Sequence, residues 1–94
     1  MDGGLRFRKA LMQADRGNPE AAKATLRNLT AELEPSPLQV RAMVVLGDLL
    51  SSASDHAAAR AVLSEAVTLA ESLDSDDLLA YEMTQARAIL DRLP

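Results

Sequence analysis

Residues 40–73 read VRAMVVLGDLLSSASDHAAARAVLSEAVTLAESL. In the first half of this stretch Val40, Met43, Val44, Leu46, Gly47 and Leu50 recur every three or four residues, the spacing of one helix face. The second half repeats the pattern with Ala58, Ala59, Val62, Leu63, Ala66, Leu69 and Ala70. Between them Ser51-Ser52 lets the first helix fade, and Ser54 and Asp55 are competent caps for the second. Gly47 and Ala59 are small where two helices meet closely, while Met43, Leu46, Leu50 and Leu63 fill the space around that contact. The stretch predicts an antiparallel hairpin with helices over about 37–52 and 55–73.

Upstream, Phe7, Ala10, Leu11 and Ala14 share one face of a helix over about 5–16. Gly17-Asn18-Pro19 ends that helix and begins another: the glycine suits a left-handed helix end, Asn18 caps the next amides, and Pro19 fits the first helical position. The second helix, about 19–33, buries Ala22, Leu26, Leu29 and Leu33, with Glu20 in its first turn complementing the helix dipole. Pro35 and Pro37 break the chain again, and Ser36 with Gln39 has the spacing of a capping box. Downstream, Asp74-Ser75-Asp76-Asp77 marks a boundary before a fifth helix over about 76–92, with Leu79, Met83, Ala86, Leu90 and Leu93 at helical spacing. No stretch alternates with period two, so the expected class is all-α, with short connections and one core in a chain of 94 residues.

Comparable positions recur along the chain. Phe7, Met43 and Leu79 match at a spacing of 36, as do Leu11, Gly47 and Met83; Ala22, Leu26 and Leu29 match Ala59, Leu63 and Ala66 at 37. With Met43-x2-Leu46-Gly47-x2-Leu50 followed by Ala59-x3-Leu63-x2-Ala66, the segment 40–73 resembles one tetratricopeptide repeat. Met43 stands where that family usually has Trp, Leu50 and Leu63 replace its aromatics, and Glu71 takes the place of its closing Pro. The resemblance implies antiparallel hairpins stacked as about two and a half repeats, a fragment of a right-handed α-solenoid forming a single domain over 1–94.

It also implies a groove, lined by the first helix of each pair, that receives a peptide or helix of a partner protein. Carried over by position, the lining is Leu5, Arg8 and Met12 from the first helix, Arg41, Val44 and Asp48 from the third, and Leu78 and Glu82 from the fifth. This set has an apolar centre and charges of both signs. Val44 and Asp48 stand where the family's clamp for a chaperone tail needs Lys and Asn, so that ligand is not expected. An unpaired fifth helix suggests a second role, self-association as a homodimer through exposed Leu79, Ala86 or Leu90.

Catalysis finds little support. His56 is the only histidine and there is no cysteine, so thiolate and multi-histidine metal sites are excluded, and neither a cofactor nor a metal is expected. Glu71, Asp74, Asp76 and Asp77 cluster without the spacing or glycine of a calcium loop, and acids here suit the start of a helix. No phosphate-binding glycine loop or nucleophile elbow occurs, so the chain is not expected to be an enzyme. The formal net charge of −4 argues against nucleic acid. That charge is uneven: residues 1–41 carry seven Lys and Arg against five acids, a net +2, whereas residues 42–94 carry three against nine, a net −6. No run approaches 18 apolar residues and the first residues lack a secretory pattern, so neither a membrane nor export is expected, and the cytoplasm is the default location.

Overall fold

The computed structural model describes residues 2–73 and 77–94. Those residues form five α-helices and no strand: α1 (Gly3–Asp15), α2 (Pro19–Glu32), α3 (Pro37–Ser52), α4 (His56–Leu73) and α5 (Ala80–Arg92). The first four follow the hydrophobic periodicity closely. The fifth starts later than the expected 76, which itself lies outside the described residues with Asp74 and Ser75. Asp77 sits at φ 69° and its carbonyl accepts from Ala80 N at 3.1 Å, so residues 77–79 turn before the helix can begin. Leu79 then serves as an N-cap without any side-chain bond.

The helix ends obey the local chemistry. Gly17 at φ 77° completes a Schellman motif: its amide donates to Ala14 O at 3.0 Å, and Asn18 N donates to Gln13 O at 2.9 Å. Asn18 accepts from Ala21 N, and Pro19 opens α2. The same motif closes α3, with Ser54 N donating to Ser51 O at 3.0 Å and Asp55 N to Leu50 O at 2.9 Å. Ser54, at φ 63°, therefore ends α3 and does not cap α4. Only half of the expected capping box forms. Gln39 N donates to Ser36 Oγ at 3.2 Å, but the Gln39 amide turns the other way, to Thr30 O and Leu33 O at 3.0 and 3.2 Å, and satisfies the end of α2.

Helix α3 is the hub. It packs against each of the other four, whereas α2 and α4 do not touch among the described residues. The molecule is a slab with principal extents of 35, 32 and 19 Å, the shortest about two helix diameters. One core runs through it, with Leu26, Leu29, Val40, Leu50, Leu63 and Leu79 almost wholly buried. Its tightest point is Gly47. A Cβ there would overlap Cγ and Cδ2 of Leu63, so α3 and α4 approach as closely as they do only because position 47 has no side chain. At the other end of the slab, the Arg6 guanidinium donates to Glu32 and ties α1 to α2. That hydrogen bond, and then the positive charge, hold the Glu32 carboxyl below its ordinary value. The contact therefore adds stability above the unfolded carboxylate range and loses it as pH falls through the depressed value.

The junctions inside the first two hairpins match in the backbone at a spacing of 37. Helices α1 and α3 end at Asp15 and Ser52, their left-handed residues are Gly17 and Ser54, and α2 and α4 begin at Pro19 and His56. Ala10, not Leu11, is thus the counterpart of Gly47; Ala10 is fully buried and Leu11 is 37% exposed. This corrects both the 36-residue register between α1 and α3 and the place of Leu11 on a buried face. The expected exposure on α5 also fails: Leu79 and Ala86 are buried and Leu90 half-buried. Ala80, Thr84 and Arg87 of α5 are exposed, so the outer side of that helix is small or polar.

Gly47→Ala should destabilise the fold by about 2 kcal/mol in urea melts, whereas Gly4→Ala, whose Cβ meets only the Asp2 carboxylate at 3.6 Å or more, should stay within about 0.5 kcal/mol. Ser54→Gly should raise stability by about 0.5–1 kcal/mol by relieving the left-handed backbone of a side-chain-bearing residue.

Candidate binding groove

Phe7 and Leu11 of α1, Arg41, Val44 and Val45 of α3, and Tyr81, Glu82 and Gln85 of α5 come together on one side of the molecule. Their helices α1, α3 and α5 enclose a groove of about 210 Å³ lined by Phe7, Leu11, Arg41, Val44, Val45, Tyr81, Glu82 and Gln85. Helices α1 and α5 make no backbone-level approach to each other among the described residues, so α3 forms the floor between two walls. Val44, 3% exposed, is that floor, while Leu11 and Tyr81, at 37% and 67%, stand on opposite rims.

Glu82 takes the place that Val45 has in α3. It does not sit as an orphan in the core: its carboxylate lies 3.6 Å from Arg41 Nε, with the Glu82 side chain 17% exposed and that of Arg41 38%. The pair bridges α3 to α5 along the wall of the groove. Tyr81 is held from its own helix, its hydroxyl accepting from Gln85 Nε2 at 2.9 Å. The groove thus has an aliphatic floor, an aromatic rim and one partly solvated ion pair. Its volume is below that of a typical small-molecule site and suits a side chain or two of a polypeptide.

The expected lining divides among four places. Arg41, Val44 and Glu82 line the groove together. Asp48 lines an adjoining depression with Gln85, Ala88, Ile89 and Arg92. Leu78, 56% exposed, lies in the turn before α5. Leu5, Arg8 and Met12 share another side of α1 with Lys9, Gln13 and Arg16. The division has a simple origin, because a one-residue slip in register rotates a helix face by about 100°. Sequence reasoning missed Phe7, Leu11, Tyr81 and Gln85; for Phe7 and Leu11 the 37-residue offset between Gly17-Asn18-Pro19 and Ser54-Asp55-His56 was the available signal.

Elsewhere, His56 is half-buried at the start of α4 and its Nδ1 has no hydrogen-bond partner among the described residues. No three of the described His, Asp and Glu side chains converge as metal ligands, and Asp74 and Asp76 of the acidic cluster lie outside the described residues. No described helix is long and apolar enough to cross a membrane. No protein-family model matches the chain, and no curated protein and no solved structure matches it either.

A double-mutant cycle on Arg41→Ala and Glu82→Ala should give a coupling of about 0.5–1 kcal/mol in thermal melts, shrinking when salt is raised. A coupling unchanged by salt would show that the two side chains act through packing and not through charge.

Proposed function

We propose that the chain is a non-catalytic binding module that holds a peptide or helix of another protein in the groove between α1, α3 and α5. The observation that carries this reading is the coincidence of three helices on one open groove whose rims are exposed Leu11 and Tyr81 over a buried aliphatic floor. Exposed apolar rims around a concave floor are the composition of peptide-binding sites, where a few side chains enter pockets and the rest of the ligand lies across them. The 37-residue spacing of equivalent positions supports stacked hairpins of the tetratricopeptide type as its architecture. A role inside the cytoplasm agrees with a cysteine-free chain.

Self-association through α5 is the less favoured reading. The unmated side of that helix presents Ala80, Thr84, Arg87, Ala88 and Asp91, all exposed, which offers little apolar area to a second copy.

Peptides selected against the whole chain from a random displayed library test the groove. Binding of the selected peptides should weaken at least about tenfold in Leu11→Glu/Tyr81→Glu, because truncating or charging central anchors costs more than 1 kcal/mol. The change sits at exposed rims and should leave the melting temperature nearly unchanged. Undiminished binding in that variant, with its fold intact by circular dichroism, sinks the groove assignment.

A further inference from the structure

Helix α3 is buried on every side but one. Its Gly47 side meets Leu63 of α4 and its Arg41 side meets Glu82 of α5. Helix α3 also packs against the preceding hairpin α1–α2, and its Ala42, Val45, Leu46 and Leu49 are buried or half-buried. One repeat later the same positions are Leu79, Glu82, Met83 and Ala86, and these are likewise covered, by α3 and α4. One repeat earlier they are Leu5, Arg8, Lys9 and Met12, and nothing among the described residues covers them: Leu5 is 49% and Met12 46% exposed. Together with Gln13 and Arg16 they line a shallow depression of about 380 Å³ on the outer side of α1. Helix α1 therefore leaves exposed the positions whose counterparts 37 residues later in α3 are buried or half-buried.

The chemistry of this side narrows its occupant. Two apolar residues about two helical turns apart, Leu5 and Met12, are flanked by Arg8, Lys9 and Arg16, and none of these three bases lies within 4.0 Å of a described acidic side chain. Arg8 holds the position of Glu82, and Glu82 pairs with Arg41 on the helix before it. The same geometry with the signs exchanged calls for an acid on the incoming helix. A second copy packed α1 against α1 would bring three bases against three, which like-charge repulsion opposes.

We propose that the outer side of α1 is a second docking surface, separate from the groove, that takes an acidic amphipathic helix of another polypeptide. Leu5 and Met12 supply the apolar seam, and Arg8, Lys9 and Arg16 pair with carboxylates on its edges. A packed helix and not a lipid surface is favoured because the two equivalent sides in this same chain are both filled by helices, and because two half-exposed apolar side chains provide little area to anchor on a bilayer.

The test uses the whole isotope-labelled chain and a synthetic helix of about four turns, with leucines at i, i+3, i+4 and i+7 flanked by glutamates. Amide shifts should move at Leu5, Arg8, Lys9, Met12 and Arg16 and stay still at Val44, Tyr81 and Gln85. Arg8→Glu/Lys9→Glu should weaken the binding at least about tenfold, with a steep salt dependence in the unmodified chain. Three results each overturn the proposal: no shifts on α1 at millimolar peptide, equal binding of the same peptide with lysines in place of glutamates, or α1 shifts produced only by vesicles of phosphatidylcholine and phosphatidylserine. Because the groove residues are read in the same spectra, failure here is distinct from failure of the groove.

Discussion

The close approach of α3 to α4 at Gly47 sets the rest of the structure. A helix can contact four others only if its neighbours come near its axis, and Gly47 lets Leu63 reach the backbone of α3. With α4 drawn in, the turn at Ala53–Asp55 must be tight, and a left-handed Ser54 supplies it. With α3 saturated on its other sides, one strip, with Val44 as its floor, is left for a groove between α1 and α5. The groove is in this sense what is left of α3 after packing has claimed everything else.

That packing also explains how two polar residues come to lie inside a small aliphatic protein. Glu82 occupies a position where α3 has a valine, yet Arg41 stands across from it and the groove admits water to the pair, so neither charge bears a full desolvation penalty. Lys23, 7% exposed, is likewise paired, with Glu20 one turn earlier on the same helix, and the stem of the lysine covers apolar surface while its ammonium reaches outward. With one Phe and one Tyr in the chain, the core depends on numerous small fits among Ala, Val and Leu, which makes position 47 more sensitive than a bulkier core would be.

Much of this was legible beforehand. Helix periods, the Gly17-Asn18-Pro19 boundary and the smallness of Gly47 are local signals, and each is realised in the fold. What local signals did not deliver was register. Phe7 and Leu11 resemble Met43 and Gly47 in apolar character at a spacing of 36, and apolar character alone does not separate a residue at the rim of a groove from one in the core. Backbone geometry does, because a helix end is anchored by its cap: Gly17 and Ser54 are unlike as side chains but alike as left-handed residues, and they give 37. The late start of α5 was hidden for a similar reason, since Asp77 is as acceptable in a turn as in a first helical turn. Pairing of Glu82 with Arg41 joins residues 41 positions apart and had no local trace at all.

The two outermost helices differ in a way that bears on how the molecule combines with others. Helix α1 shows leucine and methionine between bases, whereas the free side of α5 shows alanines, a threonine, an arginine and an aspartate. A unit that propagates into a filament must offer at one end the complement of what it offers at the other. The exposed side of α5 thus offers no apolar counterpart to Leu5 and Met12 of α1, and the two outer surfaces are not complementary to each other.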